Sequence, residues 1–145
     1  MREILFRGEK VMYGGWVYGS LAVKTVSLLG LKQYFILNQE PRKDGLLEPL
    51  VSWHAVKPET VGQYTGLKDK NGQMIFEGDL VQPVLPPSIS QPSFVWPIMP
   101  VVFSDGVFGL QDQRGGVTPL NSFAPRVTFE VMGNIHDNPE LLKGE

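Results

Sequence analysis

His54 and His136 are the two histidines of the chain, and there is no cysteine. A zinc site or a Ser-His-Asp set needs three or four groups brought together in space, and neither histidine has a companion at ligand spacing. Both read as structural or surface residues. Four carboxylates, Glu77, Asp79, Asp105 and Asp137, could gather into an oxygen site for a hard cation. All four lie in or beside turn signals, where a carboxylate more commonly accepts hydrogen bonds from the backbone of the turn itself. Asp69-Lys70-Asn71-Gly72 has a superficial likeness to the start of a calcium loop. Such a loop needs glycine at its sixth position and glutamate at its twelfth, and those places hold Met74 and Leu80. Gly14-Gly15 and Gly115-Gly116 lack the lysine or helix start that lets a glycine loop hold phosphate. The expectation is a chain with no catalytic, cofactor or metal residue, and not an enzyme.

The elements that would position these groups are strands. The 145 residues include 16 glycines and 12 prolines, which break helices and supply tight turns. The reading is therefore mainly β, with an N-terminal β-rich section over residues 1–57 and a second section over 58–145. Gly15 to Val23, Gln33 to Leu37 and Leu50 to Val56 are strand candidates, while Asn38 to Gly45 is a loop by composition. Pro58-Glu59-Thr60 reads as a turn or a single helical turn. Val101-Val102-Phe103 and Val107 to Leu110 flank a turn at Ser104-Asp105-Gly106, and Val127 to Ile135 is the last strand. Asn138-Pro139 predicts one short C-terminal helix through Leu141-Leu142-Lys143, with Asn138 as its cap. Gly15-Trp16-Val17-Tyr18-Gly19 and Gly106-Val107-Phe108-Gly109 share a hairpin style without forming a repeat.

Asp69-Lys70-Asn71-Gly72 admits either a two-residue turn on Asn71-Gly72 or a type I turn closed by Gly72 as a bulge. Only the bulged form pairs Asp69 with Gln73 and sets Leu67 opposite Ile75, two apolar side chains on one face. The bulge is the expectation. Glu77-Gly78-Asp79 then turns the chain into Leu80-Val81, the start of a small barrel.

Residues 83–100 hold half of the prolines and read as an irregular or polyproline-like excursion. Its apolar residues either fold back over the chain's own core or form an arm for another subunit, with Phe94, Trp96, Ile98 and Met99 as the candidate partner contacts and Trp96 as the anchor. A homo-oligomer or a host or phage protein is the expected partner. The formal charge of −2 gives no general attraction to polyphosphate. A nucleic-acid-binding small barrel is the alternative, with Lys68, Lys70, Arg114 and Arg126 beside Phe76 or Phe108. No apolar run approaches a membrane span, so no membrane partner is expected. The absence of cysteine suits a reducing cytoplasm.

Three ordered blocks carry a resemblance. They are Met1 to Gly8, Pro58 to Gly72 continuing through Ile75-Phe76-Glu77-Gly78-Asp79-Leu80-Val81, and Glu130 to Leu142. Together they resemble the YopX family, small proteins carried by bacteriophages and prophages, chiefly of Gram-positive bacteria. The resemblance implies an SH3-like small barrel in the C-terminal section, a host bacterial cytoplasm and a protein of unknown biochemical activity. It brings no catalytic residue with it. The proline-rich segment is longer and more apolar than the resemblance leads one to expect.

Overall fold

The computed structural model describes residues 1–40, 44–45 and 50–142. They form two compact units, Met1–Tyr64 and Thr65–Glu145. The first boundary thus falls seven residues beyond the 57/58 division expected from sequence. A short 3-10 turn at Pro58–Thr60 explains this, because it is bound to the first strand: Thr60 Oγ1 accepts from the Glu9 amide at 2.9 Å, and Lys57 Nζ meets Glu9 Oε1 at 3.0 Å.

In the first unit the strands are β1 (Phe6–Glu9), β2 (Trp16–Thr25), β3 (Lys32–Glu40), β4 (Leu50–Val56) and the start of β5 (Gly62–Lys68), in the order β4-β3-β2-β1-β5. All pair antiparallel. The sheet curls until β4 reaches the end of β1: Val11 N–H donates to Ala55 O and Lys57 N–H to Glu9 O, each at 2.9 Å. Side chains alternate across a strand, so Val17, Ile36 and Val56 point inward to a small core joined by Phe6, Leu21, Tyr34 and Val61. Glycine is required at Gly19, where a Cβ would lie 1.9 Å from the Leu37 carbonyl oxygen. β3 runs through Asn38, Gln39 and Glu40, which sequence composition marked as loop; their backbone pairs with Ser52, Val51 and Leu50 of β4, and that pairing outweighs local preference. Of the loop that follows, residues 41–43 and 46–49 lie outside the described residues.

In the second unit β5 ends in a hairpin with β6 (Met74–Phe76), followed by β7 (Asp79–Leu85), β8 (Phe94–Val95), β9 (Met99–Ser104), β10 (Val107–Gln111), β11 (Val117–Pro119) and β12 (Thr128–Asn134). The sheet order is β11-β10-β9-β7-β12, with β8 added to β7. Ile75, Val81, Met99, Val101, Leu110 and Leu120 are the buried core, with Trp96, Phe108, Phe123, Phe129 and Val131 packed against it. Asp105 and Gly106 both have positive φ, 52° and 82°, and form the two-residue turn between β9 and β10. At the C-terminus Pro139–Leu142 is a 3-10 turn instead of the expected helix. Asn138 does not cap it; its Oδ1 accepts from the Asn134 amide at 3.2 Å, closing a turn after β12. Lys143 lies outside the described residues.

The proline-rich excursion is shorter than 83–100, because both ends are strand. Pro83 sits inside β7, opposite Phe129. A proline there lacks the amide that would answer its partner across the ladder. Trp96 N–H donates to Pro83 O at 3.1 Å, and the return bond comes from a neighbouring side chain, with Gln82 Nε2 donating to Trp96 O at 3.1 Å. The ladder keeps both bonds with only one backbone donor.

Candidate functional site

The four candidate contact residues divide by burial. Met99 belongs to the core, Trp96 and Ile98 are half-buried, and Phe94 is 54% exposed. Trp96 meets Phe94 edge-on at 4.7 Å and Phe123 at 5.6 Å, and Phe123 meets Phe129 at 5.3 Å. Each such pair adds about 0.5–1.5 kcal/mol to the burial of the rings. The arm is therefore fastened to its own unit through Trp96. Its tip stands clear, with Ile89 fully exposed. Arg126 Nη2 bonds the carbonyls of Pro86 and Pro87 at 3.1 and 3.3 Å, which holds the root of that tip.

Beside the arm lies a groove of about 450 Å3. Trp96, Ile98, Met99, Phe123 and Leu142 give it apolar walls, and Gln111, Asp112, Gln113 and Thr118 line its polar side. Three of the four candidate residues thus meet in one concave surface, while Phe94 is not among its walls. The polar side is set by the turn that ends in Gly115-Gly116. Asp112 Oδ1 accepts from the amides of Arg114 and Gly116, and Gly115 N–H donates to Asp112 O.

The acidic turn at Asp69 has the same construction and a different task. Gly72 N–H donates to Asp69 O, Asp69 N–H donates to Gln73 O at 2.8 Å, and Gly72 has φ 81°, as the bulged turn requires. Asp69, 7% exposed, accepts three backbone amides: Asn71 and Gln73 at Oδ1, and Val131 of β12 at Oδ2, 3.0 Å away. Burial opposes its charge, but the amides of Val131, Gln73 and Asn71 together with the Lys70 ammonium outweigh burial and hold the carboxyl below the ordinary aspartate range. Lys70 N–H donates to Phe129 O and Lys70 Nζ meets Glu130 Oε2 at 2.6 Å. The hairpin tip is thereby clamped along β12.

The other carboxylates and histidines are spread out. Asp79, 2% exposed, accepts the Phe76 amide at 2.7 Å. Asp137 Oδ2 accepts from Asn134 Nδ2, and the His136 amide donates to Asn134 Oδ1. Among the described residues no three His, Asp or Glu side chains gather closely enough to hold a metal ion. His54 lies in β4 of the first unit, directly opposite Ile36. Of the residues in the nucleic-acid alternative, Phe76 is buried at 2% exposure and Phe108 packs on the core, so neither presents an open ring face for a base. No described helix is long and apolar enough to cross a membrane.

No curated protein matches the chain. Among solved structures, the crystal structure of protein EF1440 from Enterococcus faecalis is similar, with a TM-score of 0.52 and 21% identity over 98% of this chain and 99% of that one. At that identity the likeness is one of fold. The YopX protein family model matches residues 26–143, most of the chain and both units. The chain belongs to the YopX protein family.

Proposed function

We propose that the chain is a non-enzymatic accessory protein of phage or prophage origin that works in the host cytoplasm by self-association, on a second unit that serves as an SH3-like scaffold. The groove beside Trp96 is the working surface, and its occupant is the proline-rich tip of a second copy. One observation carries this reading: the same unit displays an apolar groove and, held away from its own core, an exposed apolar segment of the kind that fills one. Ile89 stands fully exposed between Pro87 and Pro92, where the prolines limit the freedom lost on docking. Phe94 and Val95, 54% and 52% exposed, extend the apolar surface at the base of the tip. A groove walled by tryptophan and phenylalanine suits an extended proline-containing segment.

Light scattering on a concentration series tests it. The expected result is a mass that rises above the 16.2 kDa of one chain with concentration and returns to it in Ile89→Asp, with unchanged circular dichroism. A mass of one chain at every concentration, or the same assembly in Ile89→Asp, overturns the proposal.

A further inference from the structure

The first unit contains a second concave surface, of about 400 Å3, built where two strands part. The ladder between β2 and β3 ends at Ser20 and Leu37. From Gly19 back to Trp16, β2 pairs with β1, while Asn38 and Gln39 of β3 pair only with β4. The fork between them is a cleft whose walls come from Trp16–Tyr18, Asn38, Gln39, His54 and Lys10.

Two of those residues are out of place on packing grounds. Strand alternation puts Asn38 and His54 on the same inward face as Val17, Ile36 and Val56. The inward face of so small a curled sheet is normally filled by apolar side chains. Asn38 Oδ1 and His54 Nε2 are both shielded from solvent, and neither has a hydrogen-bond partner among the described residues. Buried polar atoms in folded proteins nearly always have one. The buried carboxylates Asp69 and Asp79 of the second unit are, by contrast, both answered by backbone amides.

We propose that the cleft binds a small polyhydroxyl ligand, whose neighbouring hydroxyl groups answer Asn38 and His54. The hydroxyl is singled out because it both donates and accepts. It satisfies Asn38 in either orientation of the carboxamide and His54 in either tautomer, and it accepts from the Lys10 ammonium. A purely anionic group can only accept, so it meets Lys10 but answers the Asn38 carboxamide in one orientation alone. Both side chains line the cleft, so rotation about their own side-chain bonds is all that turns either polar atom toward an occupant. A free saccharide and the ribose of a nucleoside both offer adjacent hydroxyls, and the test separates them.

The full chain is examined by saturation-transfer NMR against a panel of monosaccharides and a panel of nucleosides at millimolar concentration, with the Asn38 side-chain amide followed in parallel. Transfer to saccharide ring protons, or to ribose protons of the nucleosides, accompanied by a shift of the Asn38 amide, is expected. Both signals fall to background in Asn38→Leu and in His54→Phe. Saccharide signals alone assign the cleft to free sugars, and ribose signals alone to nucleosides. Absence of transfer from both panels, transfer confined to base protons, or transfer unchanged in the two variants overturns the proposal.

Discussion

Replacing Asp69 by asparagine separates a carboxylate that holds backbone together from one that waits for a ligand. The substitution keeps the size and one oxygen, which can still take the amides of Asn71 and Gln73. The second oxygen becomes an amino group, facing the Val131 amide across 3.0 Å. One hydrogen bond to a charged acceptor is lost, two donors are left opposed, and the two remaining bonds lose their charge. A bond to a charged group contributes about 1.5–3 kcal/mol, and a stranded buried donor costs about 1–3 kcal/mol, so a total loss of about 2.5–6 kcal/mol is expected. Urea denaturation followed by tryptophan fluorescence reads it directly. Asp112→Asn is the internal control, since the same turn there is exposed and has no third amide from another strand, and it should cost a small fraction of that loss. A loss under about 1 kcal/mol in Asp69→Asn refutes the clamp. Acid gives a second reading. The folded carboxyl titrates below its unfolded value of about 3.9, so its contribution is complete above that value and disappears as pH falls through it toward the folded pKa. Between about pH 5 and pH 3 the parent chain should therefore lose stability faster than Asp69→Asn.

Gly19→Ala should cost about 3 kcal/mol or more, or prevent folding, because the new methyl group meets the Leu37 carbonyl, which is fixed in a ladder. Gly30→Ala, at φ 78° with open space around it, should cost only the about 1–2 kcal/mol of a left-handed conformation, and thermal melts of the two compare them. Gln82→Ala should cost about 1 kcal/mol by removing the donor that stands in for the missing Pro83 amide, and hydrogen exchange at the Trp96 amide should speed up with it.

The bulged turn at Asp69 was legible because its register consequence, Asp69 against Gln73, separates two alternatives by which side chains share a face. The same Asp-x-x-Gly spacing recurs at Asp112 to Gly115 and makes the same turn, so the signal for it lies in the aspartate and not in the glycine pair. β1 could not be read, since Phe6-Arg7-Gly8-Glu9 alternates no apolar face and is a strand because β2 and β5 bond it on both edges. β7 carries a proline that sequence rules assign outside a central strand, and the Gln82 side chain, reaching Trp96 O, supplies the donor that the proline lacks. Within the candidate groove, Trp96, Ile98 and Met99 could be named because large apolar residues among prolines are conspicuous, whereas Phe123 and Leu142 join them through folding alone. Asn38 was lost to composition: its polar neighbours suggest a loop, and the strand partner that overrides them lies fourteen residues on, at Ser52.

Asn38 and Asp69 are opposite answers to one physical problem. A polar group removed from water loses free energy unless a partner replaces the water, and Asp69 recovers it three times over from backbone amides. Deleting such a group destabilises. Asn38 recovers nothing from the described residues at its oxygen, so a leucine of similar size beside Val17 and Ile36 removes a cost and adds apolar burial. Asn38→Leu should therefore raise the stability of the first unit, by about 1–2 kcal/mol, in the same denaturation assay in which Asp69→Asn lowers that of the second. A stabilising substitution at an inward-facing position marks a residue whose presence the fold alone does not explain. A loss of more than about 1 kcal/mol in Asn38→Leu would instead make Asn38 a partnered structural residue, and the cleft between β2 and β3 would lose its argument for a ligand.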